Sequence, residues 1–81
     1  MNIYIGNLSY NVRENDLQEV MGKFGAVTSV RVIKDRNTGR SKGFGFCEME
    51  NDDEARNAIE KLNGTELSGR PLTLKEALPR D

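Results

Sequence analysis

Apolar and polar positions along the chain alternate between two periods. Ile3-Tyr4-Ile5 repeats every second residue, with Ile3 and Ile5 on one side and Tyr4 on the other, and predicts a strand ended by Gly6-Asn7. Leu17, Val20, Met21 and Phe24 then fall at i, i+3, i+4 and i+7, which lines one face of a helix. That helix should begin near Arg13 or Glu14, because Glu14 and Asp16 suit the positive end of its dipole, although Arg13 is a poor cap. Gly25 supplies its stop. Period two returns over Val27–Lys34, a β-branched stretch with Val30 and Val32 on one face and Arg31 and Ile33 on the other.

Residues 35–41 are rich in turn formers and too polar to bury, so they predict a mobile hairpin loop into a third strand over residues 42–49. Ala55, Ala58, Ile59 and Leu62 repeat the helical spacing behind a cap at Asp52 or Asp53, and Asn63-Gly64 closes this second helix. After a loop containing Ser68-Gly69-Arg70-Pro71, Leu72 and Leu74 alternate with Thr73 and Lys75 in a fourth strand. The order is βαββαβ, an α+β pattern. Its compact solution is a four-stranded antiparallel sheet with both helices on one face and the first and third strands adjacent at its centre. A single domain is expected over residues 1–78, and residues 79–81 form a short tail. Residues 78–81 either lie over the sheet edge or are loose.

The third strand is patterned the wrong way round for a core. Its alternation sends Gly45 and Cys47 to one face and Phe44 and Phe46, beside Lys42, to the other. A half-buried strand normally turns its large apolar side chains inward. Tyr4 occupies the same outward register on the first strand, so three of the five aromatic residues belong to the face that the helices leave open. Such a face can pack on a tail helix or another subunit, or it can stack unpaired bases, each stack contributing roughly 1–3 kcal/mol.

Composition narrows the choice. The chain has 81 residues, one cysteine and no histidine, so Cys47 has no intramolecular disulfide partner and no imidazole companions for a zinc site. No cofactor or metal is expected. No charged segment leads into a long apolar run, so neither a signal peptide nor a membrane span is read, and a reducing, cytoplasmic setting is expected. The net charge of −1 argues against holding duplex DNA by bulk electrostatics. The distribution changes that picture: Arg31, Lys34, Arg36, Arg40 and Lys42 stand against Asp35 alone, whereas residues 50–60 are predominantly acidic. Two solvated surfaces would explain this. The basic one, however, runs directly into the outward phenylalanines.

Lys42-Gly43-Phe44-Gly45-Phe46 matches the first five positions of the octamer Lys/Arg-Gly-Phe/Tyr-Gly/Ala-Phe-Val-x-Phe/Tyr. Cys47 and Met49 depart from it at inward positions, which concern packing. Ile3-Tyr4-Ile5-Gly6-Asn7-Leu8 is similar to the companion hexamer, with Tyr4 at its aromatic position. Over nearly its whole length the chain resembles the RNA recognition motif family, in particular its small single-domain members. The resemblance implies a ferredoxin-like fold and a single-stranded RNA partner, with single-stranded DNA as a second possible ligand. It implies that Tyr4 and Phe44 each stack a base, that Phe46 lies against sugars and that Lys42 pairs with a phosphate. Arg31, Thr73 and Lys75 on the flanking strands are secondary candidates, as are Arg36 and Arg40 in the loop. Asn7 either bonds a base edge or satisfies turn backbone. Glu48, on the aromatic face, either repels phosphate, accepts a base amino group or balances nearby cations.

An enzyme on this scaffold would need an anion cradle and a group to orient water, and the sequence contains neither motif. Gly43-Phe44-Gly45 lies within a strand, with Glu48 where a third glycine of a dinucleotide loop would stand. The rival reading is a related module that binds protein through its sheet or helices. The expected form is a monomer without membrane attachment, whose specificity comes from this one surface, in post-transcriptional regulation or RNA chaperoning.

Overall fold

The computed structural model describes residues 1–77. Its main elements are β1 (Asn2–Gly6), α1 (Glu14–Gly22), β2 (Val27–Lys34), β3 (Ser41–Met49) and α2 (Asp52–Leu62). They are followed by β4 (Glu66–Leu67), β5 (Arg70–Pro71) and β6 (Thr73–Ala77). The antiparallel sheet runs β2-β3-β1-β6, with the first and third strands at its centre as expected from the βαββαβ order. The C-terminal boundary at residue 78 and the placement of Leu78-Pro79-Arg80-Asp81 lie outside the described residues.

One face of the sheet is apolar and carries both helices. Ile3 and Ile5 from β1, Val32 from β2, Cys47 and Met49 from β3 and Leu74 from β6 form one buried cluster with Leu17 and Met21 of α1 and Ala55 and Ala58 of α2. Two alanines on α2 let that helix approach the sheet closely, and Ile59 and Leu62 pack at its margin. Leu8 and Val12, from the β1–α1 connection, are also buried. Cys47 is part of this core, and burial, followed by the charge of Glu48, pushes its thiol up to about 11. A thiol so placed packs as a small apolar group.

The helix boundaries show which residues do the capping. Arg13 occupies the N-cap of α1 without an acceptor of its own, and the Asp16 carboxylate compensates by accepting the Arg13 backbone N–H at 3.0 Å. Helix α1 ends at Gly22, three residues before the expected glycine stop. For α2 the cap is neither Asp52 nor Asp53. Asn51 takes that position, its side chain accepting the Glu54 N–H at 3.0 Å, and the two aspartates enter the first turn where the helix dipole favours them.

The 35–41 segment joins β2 to β3 as the expected hairpin loop and turns on Asp35: its carboxylate accepts the Asn37 and Thr38 N–H groups, and its backbone N–H donates to the Arg40 carbonyl at 2.7 Å. A second connection differs from the sequence expectation. The stretch read as a plain loop before the last strand contains the β4–β5 hairpin. Ser68 and Gly69, at φ 53° and 84°, form the two-residue turn with both φ positive that matches strand twist. Leu67 from this hairpin packs on the core.

Strands β2 and β3 leave no room for a side chain at Gly45. A Cβ built there would collide with the Arg31 carbonyl oxygen and press on Val32 Cα at 3.2 Å. Just beyond, Val32 pairs with Gly45 but Lys34 pairs with Ser41, so a bulge containing Gly43 (φ 85°) interrupts the ladder. The Glu14 carboxylate crosses from α1 to accept the Val32 N–H at 3.1 Å at this irregular point.

That bond sets a pH dependence. The Val32 N–H, then its own backbone N–H, hold the Glu14 carboxyl below its ordinary range. A depressed native pKa contributes stability that is present above the usual glutamate pKa and lost as pH falls through the native one. Urea unfolding across the acid range should therefore show wild type losing its advantage over Glu14→Gln as pH falls; parallel curves would refute the assignment. Gly45→Ala should destabilise the protein by roughly 1–3 kcal/mol in the same measurement at neutral pH, because backbone must move to admit one methyl group.

Candidate nucleic-acid interface

The opposite face of the sheet carries the three rings. None of Tyr4, Phe44 and Phe46 belongs to the buried cluster or to the apolar residues packed around it. Tyr4 and Phe44 are half-buried and Phe46 is exposed. The rings cover one another: Tyr4 lies 6.0 Å from Phe44 and 5.9 Å from Phe46, and the two phenylalanines are 6.1 Å apart, centroid to centroid. Tyr4 and Phe44 are inclined by only 27°, whereas Phe46 stands at 67° and 87° to them.

Register explains this assembly. Arg31 on β2 pairs with Phe46 on β3, Phe46 with Tyr4 on β1, and Tyr4 with Lys75 on β6, so one row across the sheet reads cation, ring, ring, cation. The Lys75 ammonium lies 5.2 Å from the centre of the Tyr4 ring, a contact worth about 0.5–1 kcal/mol at an exposed site. Thr73 pairs with Gly6 in the next outward row, exposed beside Tyr4. The secondary candidates Arg31, Thr73 and Lys75 thus flank the rings as the alternation places them. Glu48 shares this face, half-buried opposite Asn2 and Ser29.

Gly6 is a part of the site that the motif comparison alone does not reveal. The Tyr4 ring folds forward along its own strand over Gly6, so that a Cβ there would stand 2.7 Å from the Tyr4 hydroxyl and 2.8 Å from a ring carbon. Its bare backbone lets the ring lie down toward Phe44. The spacing of two residues on one strand face is visible in sequence, but the ring's rotamer is not.

The remaining candidates are distributed around this centre. Asn7, at φ 57°, donates from Nδ2 to the Pro71 carbonyl at 2.6 Å, which ties the end of β1 to β5 and serves backbone satisfaction. Among the described residues its Oδ1 remains for a ligand. Lys42 lies on the far side of the Gly43 bulge from the rings, exposed, and lines a groove at the end of the sheet together with Arg40. Arg36 is exposed on the Asp35 turn.

Chemically, two near-parallel rings suit two successive bases, which lie near-parallel when stacked in a single strand. The perpendicular Phe46 cannot receive a third base in that orientation and offers an apolar surface to sugar. The described residues contain no group of three or more His, Cys, Asp or Glu able to hold a metal ion.

An open antiparallel sheet backed by two helices, with stacked aromatics on its two central strands, defines a nucleic-acid-binding sheet module. The RNA recognition motif is matched over residues 3–73. The chain belongs to that family. It is 51% identical over its full length to "Putative RNA-binding protein RbpA" of Synechocystis sp., of which it spans 80%. The solved structure of RNA Binding Protein PG1 is 60% identical and superposes with a TM-score of 0.96, covering all of this chain and 98% of that one. The Rna15 domain solved with bound RNA (GU) is 29% identical with a TM-score of 0.86, over 99% of this chain and 85% of the other.

Positioning by Gly6 is open to test. Gly6→Ala should leave the urea midpoint nearly unchanged, because the methyl group meets the movable end of a side chain, yet lower affinity for a randomised single-stranded RNA pool. In a Tyr4→Ala background the same substitution should have little further effect. Additive losses would show that Gly6 acts elsewhere.

Proposed function

We propose that this protein binds single-stranded RNA on its open sheet face, Tyr4 and Phe44 each stacking one base and Phe46 supporting the sugar between them. The observation that carries this reading is the triad itself: three rings on the solvent side of a sheet whose other side already forms the core. Membership in the RNA recognition motif family and the RNA-bound structure of the Rna15 domain support it. Arg31 and Lys75, at the two ends of the row, are placed to meet phosphates as the strand crosses the sheet, and Asn7 Oδ1 can accept from a base amino group.

The role is binding rather than catalysis. Stacked rings recognise a base without altering it, which supports this reading. Single-stranded DNA offers the same π-faces, so discrimination from RNA would rest on contacts to the 2′-hydroxyl. A monomeric cytoplasmic protein acting in post-transcriptional control or RNA chaperoning fits this surface.

Two or three stacks of roughly 1–3 kcal/mol, offset by the ordering of a flexible strand, give a short site of micromolar-class affinity. Phe44→Ala or Tyr4→Ala should weaken binding to labelled single-stranded RNA by roughly 1–3 kcal/mol without unfolding the domain, and Arg36→Ala should weaken it less. With about three phosphates neutralised, the log–log salt slope should be near −2. Unchanged affinity in both aromatic variants would overturn the reading.

A further inference from the structure

The sheet ends in two edge strands, β2 and β6, and an edge offers its outward N–H and C=O groups to any further strand that can reach them. The two edges are finished differently. Along β6 the chain closes its own edge: the Leu72 N–H donates to the Thr65 carbonyl at 2.8 Å, the Leu72 carbonyl accepts from the Gly64 N–H at 2.7 Å, and the Leu74 N–H donates to Asn63 Oδ1 at 3.1 Å. Along β2 the cover is a single side chain. Among the described residues, the Glu14 carboxylate on the Val32 N–H is the one hydrogen bond that another element makes to the outer side of residues 29–32.

That bond fixes the phase of the edge. The ladder with β3 is regular from Ser29 to Val32, so the outward Val32 N–H means that the Val30 backbone also points away from β3, whereas Arg31 bonds across to Phe46. Two such edges are complementary to each other. Laid antiparallel about a two-fold axis at Arg31, Val30 of each copy faces Val32 of the other, and each Val32 N–H meets a Val30 carbonyl. Glu14 occupies that N–H and sets its carboxylate where the incoming carbonyl would sit, so acceptor meets acceptor. The same register places the exposed Arg31 directly opposite Arg31 of the second copy, and like charges so paired oppose association.

We infer that the β2 edge is a docking surface for the β2 edge of a second copy of this chain, kept shut by the Glu14 carboxylate on Val32 and by the charge of Arg31. Glu14 acts as an autoinhibitory latch. Because the outward groups of Leu72 and Leu74 on β6 are already taken, a freed β2 edge finds another β2 edge and not the far side of the next molecule, so pairing closes at two copies. The two four-stranded sheets then join into one, and an axis through the sheet keeps both ring triads on the same face.

Sedimentation velocity over a dilution series, without RNA, reads the association state, and amide hydrogen exchange at Val30 reads the edge itself. Wild type should sediment as a monomer at every concentration. Glu14→Ala combined with Arg31→Thr should form a concentration-dependent dimer in which exchange at Val30 slows about tenfold or more. Adding Val30→Pro, which removes an outward N–H and spares the bonds to β3, should return the monomer. Where alanine at position 14 leaves too little stability, Glu14→Asp with Arg31→Thr keeps an acid at the start of α1 but withdraws it from Val32, and the same dimer is expected. A folded protein of either pair that stays monomeric overturns the latch, as does a wild type already dimeric. A dimer indifferent to Val30→Pro, or association that continues past two copies, overturns the β2–β2 contact.

Discussion

Side chains alternate across a strand, so the constraint that places Gly45 against the Arg31 carbonyl also decides where Phe44 and Phe46 point. No side chain larger than hydrogen fits at that crossing without moving backbone. With Gly45 and Cys47 fixed inward, the parity of β3 is settled and the two phenylalanines face away from the helices. Pairing with β1 then brings Tyr4 beside Phe46, and the ring row follows from register. A binding surface of large apolar groups is thus produced by a close approach on the other side of the same strand. The apolar cost of leaving rings outside is moderated because they cover one another and because Lys75 lies over Tyr4.

Charge follows the same division. The helices occupy the core side, and the first turn of α2 carries Asp52, Asp53 and Glu54, where they favour the helix dipole. Arg31 and Lys75 border the rings, and Arg13, Lys34, Arg40 and Lys42 surround the groove at one end. A net charge of −1 therefore conceals a polarised molecule. A polyanion approaching it is repelled from α2 and attracted to the face and end that carry the aromatics, which orients encounter without large nonspecific affinity.

The ring face was legible in the sequence because it depends on period-two alternation, which the ladder keeps from Gly45 to Cys47. The flanking candidates Arg31, Thr73 and Lys75 were legible for the same reason. What stayed hidden depends on contacts between distant residues or on very short elements. Strands β4 and β5 have two residues each, too few to show alternation. Asn51, Asp52 and Asp53 are all competent caps, and the choice of Asn51 follows from which of them meets the Glu54 N–H. The Asn7 amide is taken by a carbonyl 64 residues away. The bulge at Gly43 separates Lys42 from the ring row although a continuous strand would have placed them together.

The rings are also arranged to lose little on binding. A free phenylalanine or tyrosine side chain gives up rotamer freedom when it immobilises a ligand. Here each ring is held by the other two, and Tyr4 is further confined over Gly6, so most of that ordering is complete before a base arrives. Lys75 is the exception, since its ammonium sits over one face of Tyr4 in the unbound protein. An incoming base that takes this face displaces the cation, and a phosphate close to the same row gives it a stronger partner. Exchange of a ring for a phosphate then couples stacking on Tyr4 to backbone contact at Lys75, so that a base alone binds less well than a base carried on its strand.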